Sequence, residues 1–146
     1  MTNEDPKSSG QPPEKTTLTD QLTGLLTDLR YPSESDEPVA FVTCYLNQKE
    51  PLTVSQIKDW QMLPPAVRVD EIPEAEFWEP VITDEDWYND DEKARTKKFQ
   101  QLKQLLESEL TDRQVFYAGE TEIDVFLLGI QTDGERAGIQ TKLVQT

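Results

Sequence analysis

The last third of the chain most constrains what it can become. From residue 113 onward, three strand-like runs follow one another with short breaks: RQVFYAG (113–119), ETEIDVFLLGI (120–130) and GIQTKLVQT (138–146). Gly119 sits where the first run must turn into the second. QTDGERAG, with the turn-favouring pair Asp133-Gly134, separates the second from the third. Strands joined by such short connections run antiparallel. In the third run Ile139, Thr141 and Leu143 alternate with Gln140, Lys142 and Val144, the period-two pattern of a strand with two unlike faces. An antiparallel sheet of this kind has to be covered, and that requirement passes to the rest of the chain.

The cover is present. Leu18, Leu22, Leu25, Leu26 and Leu29 form one stripe of a helix over 18–30, capped by Thr17 or Thr19 and ended by Tyr31-Pro32. The strongest helix is DDEKARTKKFQQLKQLLESEL (90–110), with Phe99, Leu102, Leu105, Leu106 and Leu110 on its core face. Its first turn is acidic and lysines follow, as the helix dipole prefers. VAFVTCYL (39–46) has the β-branched and aromatic composition of a central strand. A short helix is expected within 53–63, stopped by Pro64-Pro65, and a short strand at 66–72. Residues 73–92, with Pro73 and Pro80, read as a long irregular stretch. The fold class is α+β: a mainly antiparallel sheet covered by helices, in one domain over 18–146. The Pro- and Ser-rich residues 1–17 read as a disordered N-terminal arm.

Charge narrows the function. The formal net charge is −15, which repels nucleic-acid phosphates and anionic membranes and favours a partner with a cation-rich site. There is no His, so the usual general base, the His-dependent triads and the commonest metal ligand are missing. The single Cys44 excludes an intramolecular disulfide, and its apolar neighbours suggest a buried strand thiol. No apolar core marks the N-terminus as a secretory signal, and no run approaches the ~20 residues of a membrane span. A cytoplasmic protein that is not an enzyme is the expectation.

The acids are concentrated. From Asp70 to Glu92 there are eleven and no Lys or Arg. The densest part is TDEDWYNDDE, Thr83 to Glu92. A helix start explains Asp90, Asp91 and Glu92. It does not explain Asp84, Glu85 and Asp86 gathered round Trp87 and Tyr88. Trp and Tyr are frequent interface anchors, and acidic charge speeds encounter with a basic partner. An interaction surface and a solvated loop with its cap both remain open here. A calcium loop does not fit, because no register supplies both the sixth-position Gly and the twelfth-position Glu. A second cluster, SESDE (33–37), places Glu34 on a polar loop, as a plain hydrophilic connection or as a presented carboxylate. Paired carboxylates can hydrolyse glycosides, but acids in this number pair by coincidence. No phosphate-binding or dinucleotide Gly pattern and no nucleophile elbow is present.

DWYNDDEKARTKKFQQLKQLLESEL, QVFYAGETEIDVFLLG and AGIQTKLVQT together resemble the nuclease A inhibitor family, small acidic proteins that bind a DNA/RNA non-specific endonuclease of the ββα-metal class. The resemblance runs from about Leu18 to Thr146, closest from Asp86 onward and loose between Val39 and Trp78. It implies an α/β/α sandwich, a monomer when free, and a 1:1 complex in which the inhibitor occupies the nuclease active site. It further implies that Glu34 matches the family's loop glutamate, Trp87 its interface tryptophan and Thr146 its C-terminal threonine. The terminal residue would reach the catalytic divalent cation (Mg²⁺ or Mn²⁺) of the nuclease, with Glu34 helping at the same metal. The inhibitor would need no cofactor of its own. Carboxylate oxygens are hard ligands suited to such an ion. Asp84, Glu85 and Asp86 would imitate phosphates, and Trp87 with Tyr88 would supply apolar area. The alternative is an acidic nucleic-acid mimic that covers a basic DNA-binding surface without touching metal.

Overall fold

The structure, a computed structural model, describes residues 18–32, 36–46 and 48–144. In chain order the elements are α1 (Leu18–Leu26), β1 (Arg30–Tyr31), β2 (Glu37–Pro38), β3 (Ala40–Cys44), α2 (Val54–Trp60), β4 (Val69–Ile72), α3 (Glu74–Ile82), α4 (Asp90–Glu109), β5 (Thr111–Ala118), β6 (Glu122–Ile130) and β7 (Arg136–Val144). Five strands form one antiparallel sheet in the order β3-β7-β6-β5-β4, while β1 and β2 make a separate two-stranded pair. The expected C-terminal meander is therefore the middle of the sheet. β6 and β7 pair along their whole length, from Glu122 opposite Val144 to Ile130 opposite Arg136.

The strand period decides which side chains meet which helices. Val115, Ile123, Val125, Leu127, Ile139 and Leu143 share one face and form a core with Leu18, Leu22, Phe77, Trp78, Phe99, Leu102 and Leu106 of α1, α3 and α4. Phe116, Ala118, Phe126, Leu128 and Cys44 share the other face and pack with Leu52 and Ile57 from α2 and the loop before it. Helices on both faces of an antiparallel sheet make the three-layer α/β/α arrangement. β6 lies between covered faces, which is why Val125 to Leu128 are buried without a polar break. Fully burying one such Leu or Phe contributes roughly 1.5–3 kcal/mol.

Several expectations change. Residues 73–92 are not irregular throughout: Glu74–Ile82 is α-helix with Pro80 inside it. Phe77, Trp78 and Val81 are driven into the core, and that burial outweighs one missing backbone donor. Glu76, whose carbonyl Pro80 cannot satisfy, is exposed to water, as is Pro80 itself. The first helix ends at Leu26, four residues before the expected end, because Asp28 takes a positive φ of 60°. Leu29 is still buried, but from the turn rather than from a helical face. Among the described residues Ala40–Cys44 is an edge strand that pairs only with β7, and not a central one. The polar loop after Tyr31 includes a short strand, Glu37–Pro38.

The 90–110 helix stands as expected. Asn89 accepts a hydrogen bond from Glu92 N while Glu92 Oε1 accepts one from Asn89 N, a reciprocal cap. Phe99, Leu102 and Leu106 are fully buried, Leu110 nearly so, and Leu105 partly. Among the described residues no helix is long and apolar enough to cross a membrane.

The acidic end of the sheet

The segment between α3 and α4 is built from α4. Lys93 Nζ donates to Asp84 Oδ1 at 3.2 Å and to the Glu85 carbonyl at 3.0 Å. Gln100 Nε2 donates to the Ile82 carbonyl at 2.9 Å, and Tyr88 N–H closes a turn onto the Glu85 carbonyl at 3.1 Å. With the Asn89 cap, these bonds give 83–89 a defined shape although Asp84 and Asp86 are exposed. Trp87 is carried on it with 75% of its surface exposed, its ring edge-on to Tyr88 at 4.7 Å between centroids.

The other two tryptophans show how unusual this is. Trp78 is 1% exposed and its indole N–H donates to Glu74 Oε2. Trp60 is partly buried, edge-on to Phe126. An indole left in water on a braced acidic loop has no role in the core.

The acids divide by what they already hold. Asp84 is paired with Lys93, and Glu92 belongs to the helix cap. The cap reading of 90–92 is thus correct for Glu92. Glu85 is half-buried and contributes its carbonyl to the brace, whereas Asp86, Asp90 and Asp91 are exposed.

Helix geometry sets where this loop lies. Only Leu110 separates the end of α4 from the start of β5, so the chain folds back and α4 runs opposite to β5. Twenty helical residues at 1.5 Å span about 30 Å, close to the length of the long strands. The start of α4, with Trp87 before it, therefore lies at the end of the sheet where β5 finishes and β7 reaches Val144.

The flanks of the 33–35 segment come to the same end. Arg30 and Tyr31 pair with Pro38 and Glu37, and Thr141 Oγ1 donates to the Pro38 carbonyl at 2.9 Å, tying β2 to β7. Across a cavity of about 300 Å³, Arg30 and Asp36 face Asp91, Arg95 and Lys98 of α4. Trp87, Tyr88, Asp84, Glu85 and Asp86 are thus gathered with the flanks of Glu34 and the last described residue of β7. Glu34 and Thr146 themselves lie outside the described residues.

Sequence reasoning missed Lys93 as the latch of the loop and the cations Arg30, Arg95 and Lys98 beside it. The nine-residue separation of Lys93 from Asp84 has no helical or strand period that would have marked it. Two titratable groups away from this loop have shifted equilibria for structural reasons. Burial pushes the Tyr31 phenol far above its ordinary range, and its hydroxyl donates to the Phe77 carbonyl at 2.6 Å. Burial also raises the Cys44 thiol, in keeping with a strand thiol in the core. Among the described residues no group of three His, Cys, Asp or Glu side chains is placed to hold a metal ion.

A family model described as nuclease A inhibitor-like protein matches residues 16–146, a span that contains every element described above. A search among curated proteins gives no match.

Proposed function

The chain belongs to the nuclease A inhibitor-like family, and on that premise we propose that it is a stoichiometric protein inhibitor of a DNA/RNA non-specific endonuclease. The observation that carries this reading is Trp87, exposed on a braced acidic loop at the same end of the sheet as the flanks of Glu34 and the end of β7. A nuclease that binds phosphate and a divalent cation presents a basic cleft, and this end offers the opposite charge.

The parts act in sequence. The acids of 84–91 speed encounter through long-range attraction, an effect that weakens as salt screens it. Trp87 and Tyr88 then bury apolar area against the nuclease, with little ordering cost because Lys93 and the Asn89 cap already hold the loop. Glu34 and Thr146 reach the catalytic Mg²⁺ or Mn²⁺ with hard oxygen ligands. The metal belongs to the nuclease; the inhibitor acts by occupying its site and carries out no reaction.

The test is a titration of the purified protein into a cleavage assay of a ββα-metal endonuclease, with and without residue 146. Inhibition should reach completion at one molar equivalent and weaken by at least ~10-fold on deletion of Thr146, the loss expected for one good metal–oxygen contact. Truncation of residues 1–15 should leave inhibition unchanged. Equal binding of the metal-free nuclease, with no effect of deleting Thr146, would replace this reading by that of a metal-independent nucleic-acid mimic.

A further inference from the structure

A cavity of about 340 Å³ opens between the start of β4 and the β5–β6 turn, lined by Arg68, Asp70, Tyr117, Gly119, Glu120 and Ile123. We propose that this cavity is a second anchor of the nuclease interface and receives one lysine or arginine side chain of the nuclease. The proposal rests on the inhibitor reading above and adds to it a second site on the helix-covered face that carries α3 and α4.

Its position comes from strand register. Asp70 lies directly opposite Tyr117, and Glu122, which closes the β5–β6 turn, lies opposite Val144. The turn therefore stands beside the end of β7, at the acidic end of the sheet. A partner seated on Trp87 and on the end of β7 has this cavity within the same footprint.

The turn is tied to the start of β4. Gly119 has a φ of 120°, a region that disfavours any Cβ, and a Cβ there would also collide with the Glu122 carbonyl. Its N–H donates to the Arg68 carbonyl at 2.8 Å, so the turn is bonded to the start of β4. A cavity held in shape in the free protein loses little entropy when it is filled.

The lining selects a cation. Asp70 and Glu120 contribute carboxylates, and the Tyr117 hydroxyl makes no hydrogen bond among the described residues. Glu76 lies near enough to Tyr117 to help keep its phenol protonated, behind the larger effect of burial. Ile123 gives the methylene stem of a long basic side chain an apolar wall. Arg68 already holds Asp70 at 2.7 Å, but the two side chains are 66% and 46% exposed. An exposed pair of this kind contributes only ~0–1 kcal/mol, so Arg68 can yield Asp70 to an incoming cation.

The test compares two double variants of the full chain against a ββα-metal endonuclease, measuring Kd by titration at low and high salt. Asp70→Asn with Glu120→Gln removes two negative charges at the cavity. Glu109→Gln with Glu135→Gln removes two at the opposite end of the sheet. The cavity pair should weaken binding at least ~10-fold, the distant pair at most ~3-fold, and the difference should shrink at high salt. Arg68→Ala should bind as tightly as the wild type or more tightly. Equal effects of the two pairs would overturn the cavity assignment and leave the inhibitor reading standing. A tenfold loss on Arg68→Ala would make Arg68 the contact and would also overturn it. A wild-type protein that fails to bind the nuclease would overturn both.

Discussion

The two ends of the sheet use polar side chains in opposite ways. At the end where β3 and β5 meet their loops, polar groups face inward and hold the chain. Arg136 is 2% exposed and donates to the carbonyls of Leu46 and Gln48. Gln114 exchanges two hydrogen bonds with the backbone of Leu52. Gln48 and Gln56 bond to each other, and Arg113 is paired with Glu74. At the other end, Trp87, Asp86 and Glu120 face water. The first end resembles a closed interior, and the second is the surface proposed above to meet the nuclease. One end is where stability is held; at the other, side chains can change with little loss of fold.

Substitutions at the two ends should therefore separate stability from binding. The largest expected effect is Arg136→Ala, which empties the space of a buried side chain and leaves the Leu46 and Gln48 carbonyls without their donors in a partly buried place. A loss of ~3 kcal/mol should follow, read as a lower denaturant midpoint, with inhibition by the remaining folded protein unchanged. Trp87→Ala should do the reverse. It should weaken nuclease binding by ~2–3 kcal/mol, roughly 30- to 150-fold in Kd, while shifting unfolding by under ~0.5 kcal/mol. A stability loss without a binding loss would place Trp87 in the fold rather than the interface.

Asn89→Ala sharpens the boundary between the two roles, because the cap both starts α4 and anchors the acidic loop. It should cost ~1 kcal/mol of stability, by thermal or denaturant unfolding, together with a several-fold slower association rate. The smallest effect concerns pH. The Tyr31 phenol titrates higher in the folded protein than in the unfolded chain. Its contribution is then fully present below about pH 10 and is lost as pH rises through and above that value. Melting temperature should fall on going from pH 9 to pH 11, and Tyr31→Phe should flatten that fall while lowering stability at pH 7 by ~1 kcal/mol.

What was legible in the sequence follows from the range of the forces involved. α4 and the β5–β7 meander rest on local signals: the Asn89 and Glu92 cap, the leucine spacing, the period-two alternation and Gly134 with its φ of 91°. α3 was hidden because Pro73 and Pro80 are local breakers, while its reason to exist is the burial of Phe77, Trp78 and Val81 against distant segments. Ala40–Cys44 looks central because its composition is apolar, but strand order is set by topology, and among the described residues only β7 pairs with it. The Trp87 cluster could be picked out as acids round an indole. Its brace by Lys93 and the cavity beneath the β5–β6 turn could not, since each joins residues with no period between them.

By itself, then, the sequence determined an acidic α+β domain without histidine, its C-terminal meander, its longest helix and its most conspicuous exposed aromatic. These depend on composition, on the helix and strand periods and on turn chemistry, all of which act between near neighbours. Only the tertiary structure decided that Glu74–Ile82 is a helix, that Ala40–Cys44 is an edge, and that Trp87, the flanks of Glu34, the end of β7 and the Gly119 turn share one end of the molecule. Those outcomes depend on which buried faces find each other, through contacts between residues far apart in the chain.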